Sequence, residues 1–228
     1  MNGRAKRQTN ILPVPRTKEE ARQFYNRISG FYDCIAGSFE QRYAAHALKL
    51  LNIKVGEKVV DIGFGTGEIL KKIAQLVGDE GKAYGVDISP GMLEVTRKKL
   101  VKAKLMDRVE LYCGDAMDLS FDDNFFDAAF MSFTLELFDT PEIPRLLEEI
   151  KRVLKINGRI GIVSLSKNYG ESMLLKLYER AHRRWPRYLD CRPIYTMDSL
   201  KEADFNIVSS ERASLAGLPL EIIVATRV

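Results

Sequence analysis

The segment Val60-Asp61-Ile62-Gly63-Phe64-Gly65-Thr66-Gly67-Glu68 ends a short apolar run in an acid and follows it with three glycines at alternate positions. Glycines so spaced let the backbone turn tightly and approach a ligand that a Cβ would hold off. Asp87 closes a second apolar run, 20 residues after Gly67. An acid there can accept hydrogen bonds from both hydroxyls of a ribose. A dinucleotide fingerprint, G-x-G-x-x-G, would need its last glycine where Glu68 stands, and no Lys-Ser/Thr follows to make a P-loop. The plain alternatives are a strand–helix turn with chance glycines and, for Asp87, a helix-capping acid.

Groups able to move a proton are scattered: Tyr25, Tyr32, Asp33, His46, Glu136 and His182. His46, in a helical Ala-Ala-His-Ala run, reads as a surface or structural histidine, and His182, before Arg183-Arg184-Trp185, as a solvated helix end. Glu136 follows the fourth strand, where an acid either faces a substrate or caps and solvates. Cys34, Cys113 and Cys191 are far apart, odd in number and without C-x-x-C spacing. They suggest neither a disulfide framework nor a zinc site, and Cys113 reads as a strand core residue. With only two histidines, no metal site is expected. A reducing, cytoplasmic setting fits.

The elements that must position these groups alternate. Thr17-Lys-Glu-Glu20 is a capping box, and helical text runs on to about Ile28. A second helical stretch spans about Asp33 to Leu51. Strands are expected at Lys58–Gly63, Lys82–Asp87, Val109–Cys113, Phe126–Ser132 and Arg159–Leu165. Helices fall at Glu68–Val77, from Pro90 (with Ser89 as N-cap) to about Ala103, and at Pro141–Leu154 with Asn157-Gly158 as stop. Five strands alternating with helices or loops demand right-handed crossovers and a largely parallel sheet. Gly170–Arg184 and Met197–Ala203 are helical. Phe205–Ala213 and Leu220–Arg227, joined by a short link, must be antiparallel. The predicted fold is a doubly wound, Rossmann-like, mostly parallel seven-stranded α/β sheet with an antiparallel last strand and helices on both faces.

The run DIGFGTG, GVDIS, GDAMDLSF, FDAAFMSFTLELF and LLEEIKRVLKINGRIGIVSL, over roughly residues 58–166, resembles the successive motifs of class I S-adenosylmethionine-dependent methyltransferases. The resemblance implies S-adenosyl-L-methionine as cofactor. It assigns Asp61 to the methionine amino group, Gly63, Gly65 and Gly67 to the cofactor loop, Asp87 to the ribose and Ile88 to the adenine face. Asp115 and the Ala116 backbone would meet the adenine amino group, and Met131 and Ser132 would line the mouth where the methyl group leaves. Methyl transfer is an in-line displacement on an activated donor, so alignment and exclusion of water matter most. Tyr25, Tyr32 and Glu136 are the candidate catalytic residues.

Residues 21–37, ARQFYNRISGFYDCIAG, resemble the entry segment of the ubiquinone and menaquinone biosynthesis methyltransferases, with Tyr32-Asp33 as the Tyr-Asp pair. That implies a helical lid, with Tyr32 among the cofactor contacts, and a small, lipophilic acceptor: a quinone precursor, a phospholipid or another metabolite. The alternative is that Phe24, Ile28, Phe31 and Ile35 form an ordinary apolar stripe with flanking tyrosines. Ala203-Asp204-Phe205 stands where the family usually has Ala-Gly-Phe. A silent S-adenosylmethionine-binding scaffold, an RNA or protein methyltransferase and a nicotinamide-dependent oxidoreductase are the rivals. Ser132-Phe133-Thr134-Leu135 in place of an N/D-P-P-Y/F motif argues against nucleic-acid amines.

The domain reading is a basic tail (1–16), a helical lid (17–52), a cofactor core (58–166) and an acceptor-shaping part (167–228). Residues 1–18 hold five of the 35 basic residues and none of the 31 acids, so the body is close to neutral and lacks a broad nucleic-acid footprint. The tail, or the Arg180, Arg183, Arg184, Trp185, Arg187 and Tyr188 patch, can meet an anionic membrane surface; otherwise these are a solubilising end and snorkelling arginines.

Overall fold

A computed structural model describes residues 11–32, 37–168, 173–185 and 191–228. The expectations for Asp33, Cys34, Arg187, Tyr188 and residues 1–10 lie outside them. The chain begins with α1 (Lys18–Ile28) and α2 (Gly37–Leu51). Alternation then gives β1 (Lys58–Ile62), α3 (Glu68–Leu76), β2 (Lys82–Asp87), α4 (Pro90–Lys102), β3 (Val109–Cys113), β4 (Phe126–Ser132), α5 (Ile143–Val153) and β5 (Leu154–Leu165). It closes with α6 (Met173–Arg184), α7 (Thr196–Glu202), β6 (Phe205–Leu215) and β7 (Leu218–Arg227).

One sheet holds all seven strands in the order β3-β2-β1-β4-β5-β7-β6. β1 to β5 pair in parallel, and β7 runs antiparallel to both β5 and β6. This is the expected Rossmann-like architecture. The parallel strands are buried on both faces, so they read as continuous apolar text. Alternate residues serve two cores. Val59, Ala128 and Phe130 pack under α2, α3 and α4 with Leu48, Ile73 and Leu100. Val60, Ile62, Ala129 and Met131 pack with Leu146, Leu147 and Ile150 of α5 and Leu200 of α7.

Local chemistry sets the boundaries. Thr17 and Glu20 form both arms of the capping box, and Ser89 Oγ accepts from Met92 N ahead of Pro90. The β6–β7 turn is Ala216-Gly217, both at positive φ (50° and 87°), which suits a two-residue hairpin. One expected stop lies elsewhere. Helix α5 ends at Val153 and β5 begins at Leu154, pairing with Phe126, so Asn157-Gly158 falls inside the strand segment at a register shift. A strand partner for Leu154 ends the helix before the glycine does.

Residues 11–16, read as the end of a tail, lie against the body. Leu12 is buried, and Val14 N donates to Asp139 Oδ1 at 3.2 Å. Arg192, fully buried, donates to Leu12 O (3.0 Å), Thr140 Oγ1 (2.9 Å) and Phe138 O. Among the described residues, no helix is long and apolar enough to cross a membrane.

Candidate cofactor and acceptor cleft

The sheet order reverses direction between β1 and β4, and a cleft opens beyond the carboxyl ends of β1, β2 and β4, where such folds take ligands. α1 forms its outer wall, docked on α4 by Asn26 Oδ1, which accepts from Gly91 N at 2.5 Å. Two lobes meet at Tyr32, Gly63, Gly65 and Ser132. One is lined by Asp61, Glu40 and Gln41. The other is lined by Asp87, Ile88, Asp115 and Ala116, with apolar walls from Val14, Ala21, Phe133, Leu137 and Phe138.

Gly63 and Gly67 are both at positive φ, and a Cβ on either would strike Thr134 or Thr96. Gly65, at φ +53°, has nothing within 4 Å of a built Cβ: it faces open space. Gly67 therefore serves the turn as N-cap of α3 and is not among the cleft-lining residues.

The two acids behind the loop are buried. Asp87 Oδ2 accepts from Gly65 N (2.9 Å) and Oδ1 from Ser89 N (2.8 Å), which fixes the carboxyl group against the glycine turn. Burial pushes its pKa up to about 6 against those two bonds. Asp61 is pushed up to about 8, by burial first and by Asp87 second, and its Oδ2 is buried without a hydrogen-bond partner. A buried carboxyl group in that condition calls for a donor, and a cationic one would ionise it.

Asp115 is engaged from both sides: Oδ1 accepts from Met117 N (3.0 Å) and Oδ2 from Lys18 Nζ (2.6 Å). Sequence reasoning missed Lys18, and also Thr134, Leu137, Phe138, Asp139 and Glu142, which line the cleft after β4. Phe133, which also lines the cleft, sits at φ +53°, uncommon for an aromatic residue.

Four expectations are corrected. Met131 is fully buried in the α5-side core and does not reach the cleft; its neighbour Ser132 does, because successive strand residues point to opposite faces. Glu136 is fully buried outside the cleft lining, with Oε1 accepting from Leu165 N at 3.1 Å and burial pushing its pKa up to about 8. His182 is buried on the inward side of α6, not solvated. Cys113, at the carboxyl end of β3, is exposed, not core. His46 pairs with Glu211 (2.7 Å) in a separate groove. Tyr25 and Tyr32 both line the cleft, their rings edge to face at 6.4 Å, so they do more than flank a stripe. Among the described residues, no group of three metal-ligating side chains occurs.

Residues 59–158 match the methyltransferase domain family. Those 100 residues carry the methyltransferase domain signature. The chain's relatives include the demethylmenaquinone methyltransferase of Symbiobacterium thermophilum, 36% identical over 163 residues that cover 69% of this chain and 64% of that protein. A ubiquinone/menaquinone biosynthesis C-methyltransferase of Teredinibacter turnerae is 35% identical over 147 residues, 64% of this chain and 58% of that protein. The chain thus spans about three fifths of the length of the curated relatives it matches. Among solved structures, the cyclase SpnF superposes with a TM-score of 0.74 at 20% identity, over 95% of this chain and 98% of that one. At such identity the likeness concerns architecture, and a cyclase sharing it shows that the fold does not by itself choose the chemistry.

S-adenosylmethionine is the cofactor that the sequence resemblance implies, and the residues of this cleft fit it. Asp61 offers an unsatisfied buried oxygen to an amino group, Gly65 leaves room at the turn, and Asp87 keeps lone pairs for hydroxyls beyond the two backbone bonds it accepts.

Proposed function

We propose that this chain transfers a methyl group from S-adenosylmethionine to a small, lipophilic acceptor of the quinone-precursor kind. The observation that carries the reading is the buried pair Asp61 and Asp87 behind an open Gly65, one carboxyl oxygen unpartnered and the other carboxyl group fixed by the loop it serves. The bound cofactor supplies an electrophilic methyl on a sulfonium. What the chain must add is position and dryness. Asp61 holds the amino group, Asp87 the ribose hydroxyls, and Ile88, Asp115 and Ala116 the adenine.

Tyr32 stands at the junction of the two lobes, where an acceptor would meet the reacting methyl, and Tyr25 lies beside it on the adenosine side. Their hydroxyls orient the acceptor. Glu136 has no such access and acts on stability alone. The apolar walls from Val14, Ala21, Phe133, Leu137 and Phe138 favour a lipophilic acceptor over a nucleobase. In this reading residues 17–52 cover the cofactor, 58–166 hold it and 167–228 shape the acceptor pocket, in a cytoplasmic setting.

Calorimetry with S-adenosylmethionine and S-adenosylhomocysteine, with NAD as control, tests the first half. Micromolar binding of both and none of NAD is expected. Transfer of labelled methyl to demethylated quinones, phospholipids and small amines tests the second. Cofactor binding with no transfer to any lipophilic acceptor would favour the silent scaffold, and binding of neither cofactor form would sink the reading.

A further inference from the structure

Helix α6 turns one side inward. Leu175 and His182 are buried, Tyr178 Oη donates to Cys191 O at 2.6 Å, and Glu179 meets Lys167 at 2.8 Å. A surface helix ordinarily gives water its charged face, but the outward side of α6 also carries an apolar stripe. Met173 is 88% exposed, Leu177 61%, and Trp185, just past the helix, 54%. On a 3.6-residue period Met173 and Leu177 point outward, with Leu174, Ala181 and Trp185 on one flank. Lys176, Arg180 and Arg183, all exposed, take the other, and Arg184 lies between. The helix's one acid, Glu179, faces inward to Lys167.

This face lies at the cleft end of the sheet. Lys167 lies two residues past the end of β5, and Leu174 packs at the Ala216-Gly217 turn. β7 is antiparallel to β5, with Leu165 opposite Leu220, so that turn sits beside the carboxyl end of β5. Phe31, 71% exposed, adjoins the cleft-lining Tyr32.

We propose that the outward face of α6 docks on an anionic lipid bilayer and brings the cleft mouth to the surface from which a lipophilic acceptor is drawn. Its purpose rests on the proposed acceptor class; the docking itself does not. Charge complementarity selects the occupant. A row of cations beside an apolar stripe, with no outward acid among the described residues of α6, matches an anionic headgroup layer over acyl chains. Trp185 at the end of the stripe has the ring type that settles at headgroup level.

Trp185 is the single tryptophan of the chain, so its emission reports on this face without a label. The test adds vesicles of phosphatidylcholine, with or without phosphatidylglycerol, to the full chain and follows emission and co-sedimentation. The expected result is a shift to shorter wavelength and co-sedimentation with the phosphatidylglycerol vesicles only, weakened by salt. Arg180→Glu with Arg183→Glu should weaken the association by roughly thirtyfold or more, and Met173→Glu with Leu177→Glu should abolish it. All variants should bind S-adenosylhomocysteine as the wild type does.

Unchanged emission with the protein left in the supernatant would overturn the proposal. So would short-wavelength emission without vesicles from a dimer that Leu177→Glu splits, since a second copy would then cover the face. If cofactor binding fails while vesicle association holds, the methyl-transfer reading falls and the docking stands; the reverse outcome removes the docking alone.

Discussion

Lys18 Nζ lies 2.6 Å from Asp115 Oδ2, joining the first turn of α1 to the loop after β3 across the mouth of the cleft. Both side chains are partly exposed, so the pair contributes little to global stability. Its effect is local: it holds the outer wall over the carboxyl group assigned to the adenine. Lys18→Met should change unfolding free energy by less than about 1 kcal/mol while raising amide exchange over residues 18–28. Unchanged exchange there would show that the Asn26–Gly91 contact alone fixes the helix.

Burial raises the pKa of Asp61 to about 8, of Asp87 to about 6 and of Glu136 to about 8. Each folded-state value lies above the unfolded one, so the folded chain holds extra protons between about pH 4 and 8, and stability falls as pH rises through that window. Urea unfolding of the ligand-free protein should show a loss of more than about 1 kcal/mol between about pH 5 and 8. Asp61→Asn, which does not titrate, should flatten the slope. An identical slope in the variant would mean that Asp61 is ionised in the free protein.

Asp87→Ala removes the proposed ribose acceptor and the acceptor for Gly65 N together. Cofactor affinity by calorimetry should fall by about 1–3 kcal/mol. Wild-type affinity would refute the ribose assignment.

Gly65→Val and Gly63→Val separate ligand space from packing. At Gly65 the new side chain enters the open cleft, so the protein should fold at a cost of about 1–2 kcal/mol for its positive φ and lose cofactor binding. At Gly63 it meets Thr134, so folding itself should suffer more. Thermal melts read beside calorimetry distinguish the two.

Arg192 gives its guanidinium to the Leu12 and Phe138 carbonyls and to Thr140, and burial pushes its pKa down to about 10. Arg192→Met leaves those acceptors unpaired and should cost about 2–4 kcal/mol. Residues 11–16 should become sensitive to protease before the core does. Uniform sensitivity would mean that the segment is held by Leu12 packing instead.

Much of the fold was legible because its signals are local. Thr17 and Glu20, Ser89 and Pro90, and the apolar runs ending in Asp61 and Asp87 each depend on neighbours in sequence, and each reappears in the structure at its expected place. Even the Asp204 departure has a local reason: it sits at φ +57°, a turn that glycine fills most easily and aspartate tolerates. The loop, its two acids and the parallel direction of the first five strands were thus fixed by residue type and spacing. Tertiary structure decided what depends on partners far along the chain. Which of Met131 and Ser132 faces the cleft follows from sheet register, and Glu136 is withdrawn because Leu165 N claims it. The lysine at position 18 and the arginine at 192 take their meaning from Asp115 and Leu12, 97 and 180 residues away. Burial and pairing arise only when the sheet brings such segments together, and a one-dimensional pattern carries no record of them.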